Sequence, residues 1–221
     1  MRTIALSILL VITMLYQAQV KLPAPSIRKT SVYFSATGIS KINRLKLNDM
    51  LVENQIAPVK TMHFPFAIGA NFQKNKLGGN AELALMNVLV KSNRPKVSYI
   101  TGRVGLNYMI YERKDRYLFL NANYAYTFAA AKVLYSESQA SSITSGKKQT
   151  LEFNNGFHTV GPAICFGLLD GRQTILIKAG YDFGLMHSQW NSSNKSVTAF
   201  PYERFNRFYM SVAFTLNGMG L

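Results

Sequence analysis

The segment YLFLNANYAYTF, Tyr117 to Phe128, is an unbroken run of strand-forming sequence. With a period of two, Leu118, Leu120, Ala122, Tyr124, Tyr126 and Phe128 share one face, while Tyr117, Phe119, Asn121, Asn123, Ala125 and Thr127 share the other. The first face is wholly greasy and the second is mixed. Strands in soluble proteins usually run to about five or six residues, so a strand of this length needs a reason. Three further segments repeat the pattern. Ser98, Ile100, Gly102, Val104, Leu106, Tyr108 and Ile110 oppose Tyr99, Thr101, Arg103, Gly105, Asn107 and Met109. Ile175, Ile177, Ala179, Tyr181, Phe183 and Leu185 oppose Thr174, Leu176, Lys178, Gly180, Asp182 and Gly184. Phe208, Met210, Val212, Phe214 and Leu216 oppose Arg207, Tyr209, Ser211, Ala213 and Thr215. An apolar set facing a set with charges, Asn and Gly is the apolar-out, polar-in pattern of a transmembrane β-barrel. A soluble sandwich would turn its apolar face inward and use shorter strands.

About eight strands are predicted, near Thr30–Gly38, Met62–Gln73, Asn80–Lys91, Val97–Glu112, Arg116–Ala131, Gly156–Leu169, Thr174–Gln189 and Phe205–Leu216. The third, AELALMNVLV, is apolar on both faces, so its register stays open. The fold class expected is all-β, an antiparallel up-and-down transmembrane barrel of about eight strands, the size whose interior side chains fill. ERKDR and DGRQ read as tight turns and QKNKLGGN as a somewhat longer one. At the other end, 38–61, 131–155 and 189–204 are long polar connections, with KSNRPK the short exception. Short turns at one end and long loops at the other suit periplasmic turns and extracellular loops. In the first loop, NRLKLNDMLVEN offers a short amphipathic helix through Leu45, Met50 and Leu51 over the mouth, or a plain loop.

Export is expected from the start of the chain. Met1 and Arg2 precede the apolar run IALSILLVITML, and Ala18 supplies a small residue for cleavage. The division is a signal peptide over 1–18, a periplasmic segment over 19–29 and the barrel over 30–221. The apolar run is shorter than the roughly twenty residues of a membrane-crossing helix. The formal charge of +15 asks for anionic partners. Export leaves phospholipid and lipopolysaccharide rather than nucleic acid. Cys165 is the single thiol, which excludes an internal disulfide and reads as a small inward filler.

The layout resembles the small Bacteroidetes-type outer-membrane β-barrel proteins, including those called PorT-like. The resemblance is carried by SVYFSATGIS, the helix-prone INRLKLNDMLVENQIAPV and FPFAIGANF, and it spans most of the mature chain. It implies an outer-membrane location. The last strand is similar to the assembly signal of outer-membrane proteins at Tyr209, Ser211, Phe214 and Leu216, with Ser211 where Gly is usual and NGMGL running past the expected terminal aromatic.

Candidate functional residues form two groups. An interior polar network is expected from Arg103, Asn107, Asn121, Asn123, Lys178, Asp182 and Arg207, with Asp182 paired to a basic neighbour because an unpaired inward charge is costly. Loop contacts to anions or a partner are expected at Lys41, Arg44, Lys46, Lys91, Arg94, Lys96, Lys147, Lys148, Trp190 and Tyr202, the last two taken as exposed aromatic anchors. Expected partners are outer-membrane lipid, lipopolysaccharide and a protein at the outer loops, and the chain is expected to act as a monomer. A narrow ion path is the alternative use of a polar interior. Barrel enzymes acting on lipid A are a second: consecutive strand residues point to opposite faces, so His187 and Ser188 do not easily form a nucleophile and base pair, while His158 and Ser188 could meet across adjacent strands, as could many polar residues. No metal spacing, phosphate loop or carboxylate dyad is present in the sequence, and neither a cofactor nor catalysis is expected.

Overall fold

In a computed structural model of the chain, the described residues are 28–54, 56–86, 96–113, 115–136, 148–170, 173–192 and 200–217. Long strands dominate: β1 (Arg28–Ile42), β3 (Phe66–Lys74), β4 (Leu77–Met86), β5 (Lys96–Glu112), β6 (Arg116–Ser136), β7 (Lys148–Asp170), β8 (Gln173–Gly184) and β12 (Arg207–Asn217). Between β1 and β3 lie helix α1 (Lys46–Glu53) and the short β2 (Met62–His63). Between β8 and β12 lie β9 (Ser188–Gln189), β10 (Asn191–Ser192) and β11 (Tyr202–Glu203). The long strands pair antiparallel in the order β1, β3, β4, β5, β6, β7, β8, β12, and β12 returns to β1. The described residues therefore close an eight-stranded up-and-down barrel. Closure removes the edges that an open sheet would leave.

The alternation read from the sequence is the alternation of the wall. Along β5, Thr101, Arg103 and Asn107 are buried inside the ring while Val104, Leu106 and Tyr108 stand exposed outside it, Leu106 at 74 %. Phe34, Phe72, Phe128, Ile164, Phe183 and Phe214 extend the exposed apolar belt around the barrel.

The seam between β7 and β8 has a gap in its pairing between Val160↔Phe183 and Ala163↔Gly180. Gly161 sits in that gap, where a Cβ would lie 1.6 Å from the Tyr181 carbonyl oxygen, and Pro162, which has no N–H to offer a ladder, follows it. At Gly161 the β8 backbone comes too close to admit a Cβ.

Several expected boundaries shift. QKNKLGGN is a tight turn: Lys74 pairs with Leu77 across Asn75 and Lys76, Asn75 takes a positive φ of 55°, and Gly78 and Gly79 belong to β4. The connection expected over 131–155 is largely strand. β6 and β7 stay paired out to Ser136↔Lys148, which puts Lys132 and Lys148 on strands rather than on a loop. Lys41 lies within β1, Lys46 opens α1 and Lys96 opens β5. The first loop holds a helix, with Leu47 and Leu51 buried. Residues 1–27, together with Lys91, Arg94, Lys114 and Lys147, lie outside the described residues.

Candidate functional site

The interior is stacked in layers. At the end carrying α1, a buried apolar cluster forms a cap: Leu45, Leu47, Leu51 and Val59 from the first connection pack with Val97, Ala131, Phe153, Phe157, Trp190 and Phe205. Helix α1 has no side-chain cap of its own; its N-cap residue is Leu45. Glu203, distant in sequence, supplies the missing acceptor. Its Oε1 accepts the Lys46 backbone N–H at 2.6 Å, and its Oε2 accepts the Trp190 Nε1–H at 2.7 Å. A carboxylate at a helix N-terminus also meets the positive end of the helix dipole. Burial outweighs these contacts and raises the Glu203 pKa above the ordinary carboxylate value.

A pH dependence follows. A raised folded-state pKa means that the capped state holds a proton the uncapped state releases. The stabilisation is full below the unfolded carboxylate value and is lost as pH rises through the folded one. Amide exchange in Lys46–Glu53, corrected for intrinsic base catalysis, should therefore show stronger protection at acid pH than at pH 8. Glu203→Gln should flatten that difference, and a profile unchanged in the variant would refute the assignment.

Beneath the cap, charges from four strands meet. Asp182 on β8 pairs with Arg103 on β5 at 2.9 Å and with Arg207 on β12 at 2.6 Å. Arg103 also pairs with Glu82 on β4, which takes Lys178 at 3.1 Å and the Tyr33 hydroxyl at 2.8 Å. Tyr209 lies under Arg103, its ring centroid 4.1 Å from the guanidinium carbon. All five ionic side chains are at most 5 % exposed. A polar layer follows, in which Asn121 Nδ2 donates to Asn80 Oδ1 at 2.6 Å and to Asn107 Oδ1, and Asn123 Nδ2 donates to the Tyr209 hydroxyl at 3.2 Å. Tyr33, Phe119, Cys165, Leu176 and Ala213 form a smaller apolar cluster.

The structure thus brings together the seven interior residues named from the sequence and adds Glu82, Tyr33, Asn80 and Thr101. Glu82 was missed because its strand is apolar on both faces. Its register opposite Arg103 fixes it inside. A lone acid in an otherwise apolar strand was the available signal. Lys41, Arg44 and Lys46 are exposed, and Arg44 pairs with Asp49 at 2.8 Å. Lys132 pairs with Glu152 at 3.1 Å. Tyr202 is exposed, but the expectation that Trp190 is exposed is overturned. Trp190 is fully buried, stacked edge-on against Phe157 and hydrogen-bonded to Glu203, because the segment carrying it folds inward onto the cap.

No family model and no curated protein matches this sequence. Solved structures do match. A major outer membrane protein from Thermus thermophilus aligns with a TM-score of 0.52 at 7% identity, covering 86% of this chain and 99% of that one. Neisserial surface protein A aligns with a TM-score of 0.49 at 8% identity, covering 88% and 99%. The Thermus likeness is one of fold, and that fold is the small outer-membrane-type β-barrel.

Proposed function

We propose that the chain is an integral outer-membrane β-barrel with a closed lumen, its capped end facing outward and its tight turns facing the periplasm. Its role is structural, adhesive or secretion-associated, exercised through basic and aromatic outer loops against lipopolysaccharide and a protein partner. One observation carries this reading: an exposed belt of Phe, Ile, Val and Leu surrounds a ring whose interior holds the buried charges Glu82, Arg103, Lys178, Asp182 and Arg207. Exposed apolar surface of this extent marks an interaction face, and hydrocarbon is the partner that wets every side of a closed ring at once. The PorT-like resemblance belongs with this reading. Exposed Lys41, Arg44, Lys46 and Lys60 stand at the capped end, and basic residues beside an anionic surface contribute on the order of 1 kcal/mol each.

The test is cell fractionation with heat-modifiable gel migration, followed by recording in planar bilayers. Recovery in the outer membrane, a mobility shift on boiling and conductance at the lipid background are expected. A mature chain that is monodisperse in buffer without any amphiphile would remove the reading. Steady single-channel conductance would replace the closed lumen with an ion path.

A further inference from the structure

The barrel wall has a fault that opens onto the ion cluster. β1 pairs with β3 as far as Ser35↔Ala67, and its next partner toward the cap is β2, at Ser40↔His63. On the other side of the same strand, the register against β12 shifts between Phe34 and Thr37. Pro65 stands across the gap from Gly38, where an added Cβ would meet the Pro65 carbonyl oxygen at 3.0 Å and Pro65 Cγ at 3.4 Å. Behind the fault is a cavity of about 30 Å³, lined by Gly38, Ser40 and Pro65 from the wall and by Tyr99, Arg103 and Arg207 from the interior. One water needs at least roughly 10–15 Å³, so the space takes a small guest, one monatomic ion or about two waters.

Three of the side chains that line this space carry a donor with no hydrogen-bond partner among the described residues: the Tyr99 hydroxyl, Ser40 Oγ and Arg103 Nε. Tyr99 and Ser40 are 1% exposed and Arg103 4%. Leaving a buried polar group unpaired costs about 1–3 kcal/mol, so three together call for an occupant. Glu82 also lines the cavity, but its oxygens are engaged by Arg103, Lys178 and Tyr33. The Arg207 guanidinium is engaged by Asp182 and Thr101 Oγ1.

The charge of the cluster points the same way. Arg103, Lys178 and Arg207 face Glu82 and Asp182, which leaves one positive charge without a counter-charge in this cluster. The other buried carboxylate among the described residues, Glu203, is held in the cap by the Lys46 amide and the Trp190 indole. An uncompensated charge inside a barrel is expensive. Water fits the space and accepts hydrogen bonds, but it leaves the charge in place. A guest that only accepts, carries one negative charge and is about the size of water satisfies both demands. We propose that the cavity is a binding site for one small inorganic anion of the chloride class.

The test uses the mature barrel refolded in detergent, exchanged into sodium gluconate and titrated with chloride at constant ionic strength. The unfolding temperature should rise along a saturating curve. Tyr99→Phe, which removes one donor and no charge, should move the half-saturation concentration up by about tenfold or more, as for a lost hydrogen bond to a charged group. Crystals grown in bromide should give an anomalous peak within hydrogen-bond reach of the Tyr99 hydroxyl. If Tyr99→Phe does not refold, the wild-type titration and the bromide peak still decide. A stability change that never saturates, or bromide crystals with no peak in the cavity, would overturn the proposal and leave water as the occupant.

Discussion

Replacing Asp182 with Asn is expected to lower the stability of the refolded barrel by about 3–5 kcal/mol, read from the urea midpoint in lipid vesicles at unchanged m. The side chain keeps its shape and loses its charge. Asp182 Oδ2 receives Arg103 Nη2 at 2.9 Å, Arg207 Nη2 at 2.6 Å and Arg207 Nε at 3.1 Å, so it is the hinge between two guanidiniums that are 4 % and 2 % exposed. Without the carboxylate, Arg207 loses its ionic partner, while Arg103 retains Glu82. Breaking a buried pair from one side is far more damaging than removing both partners, because the surviving charge keeps its desolvation penalty. The double variant Asp182→Asn with Arg207→Met should therefore recover a substantial part of the loss. A single-variant effect below about 1 kcal/mol, or a double variant whose losses simply add, would show that these charges are reached by solvent and are not a closed network.

That network was partly legible from the sequence, for a physical reason. Parity along a strand is local, so once the greasy face of TILIKAGYDF is taken as outward, Lys178 and Asp182 must point inward, and the same holds for Arg103 and Arg207. Parity names no partners. Which acid meets which base depends on strand order and register, so Glu82, on a strand whose faces look alike, emerged only from its pairing opposite Arg103. The cap was less legible. Leu47, fully buried, was not among the helix positions expected to pack, and Trp190 looked like a loop anchor. Both depend on Glu203, which brings segments more than one hundred residues apart to one point, and no periodicity records such a contact. The tight β3–β4 turn was hidden by Gly78 and Gly79, which suggest a loop but serve as strand residues, with Gly78 pressed against Gln73.

Replacing Trp190 with Ala should undo the cap while leaving the ion cluster intact. Trp190 is fully buried, packs edge-on against Phe157 at 5.7 Å between centroids, and ties its segment to Glu203. Truncating a buried Trp costs about 3–5 kcal/mol, part of it from the cavity left behind. The loss falls first on the element that docks through this residue, since local opening follows local contact energy. Amides of Lys46–Glu53 should exchange about a hundredfold to a few thousandfold faster, because each factor of ten corresponds to about 1.4 kcal/mol. Trp190→Phe separates two contributions, since it retains most of the packing and removes the N–H offered to Glu203. It should fall between wild type and Trp190→Ala. Conductance should stay at the lipid background in both variants, because Arg103, Glu82, Asp182, Lys178 and Arg207 still fill the ring below. An open channel in Trp190→Ala would mean that the cap, and not the charged layer, seals the barrel. Unchanged exchange in α1 would mean that the helix is held by Leu47 and Leu51 alone.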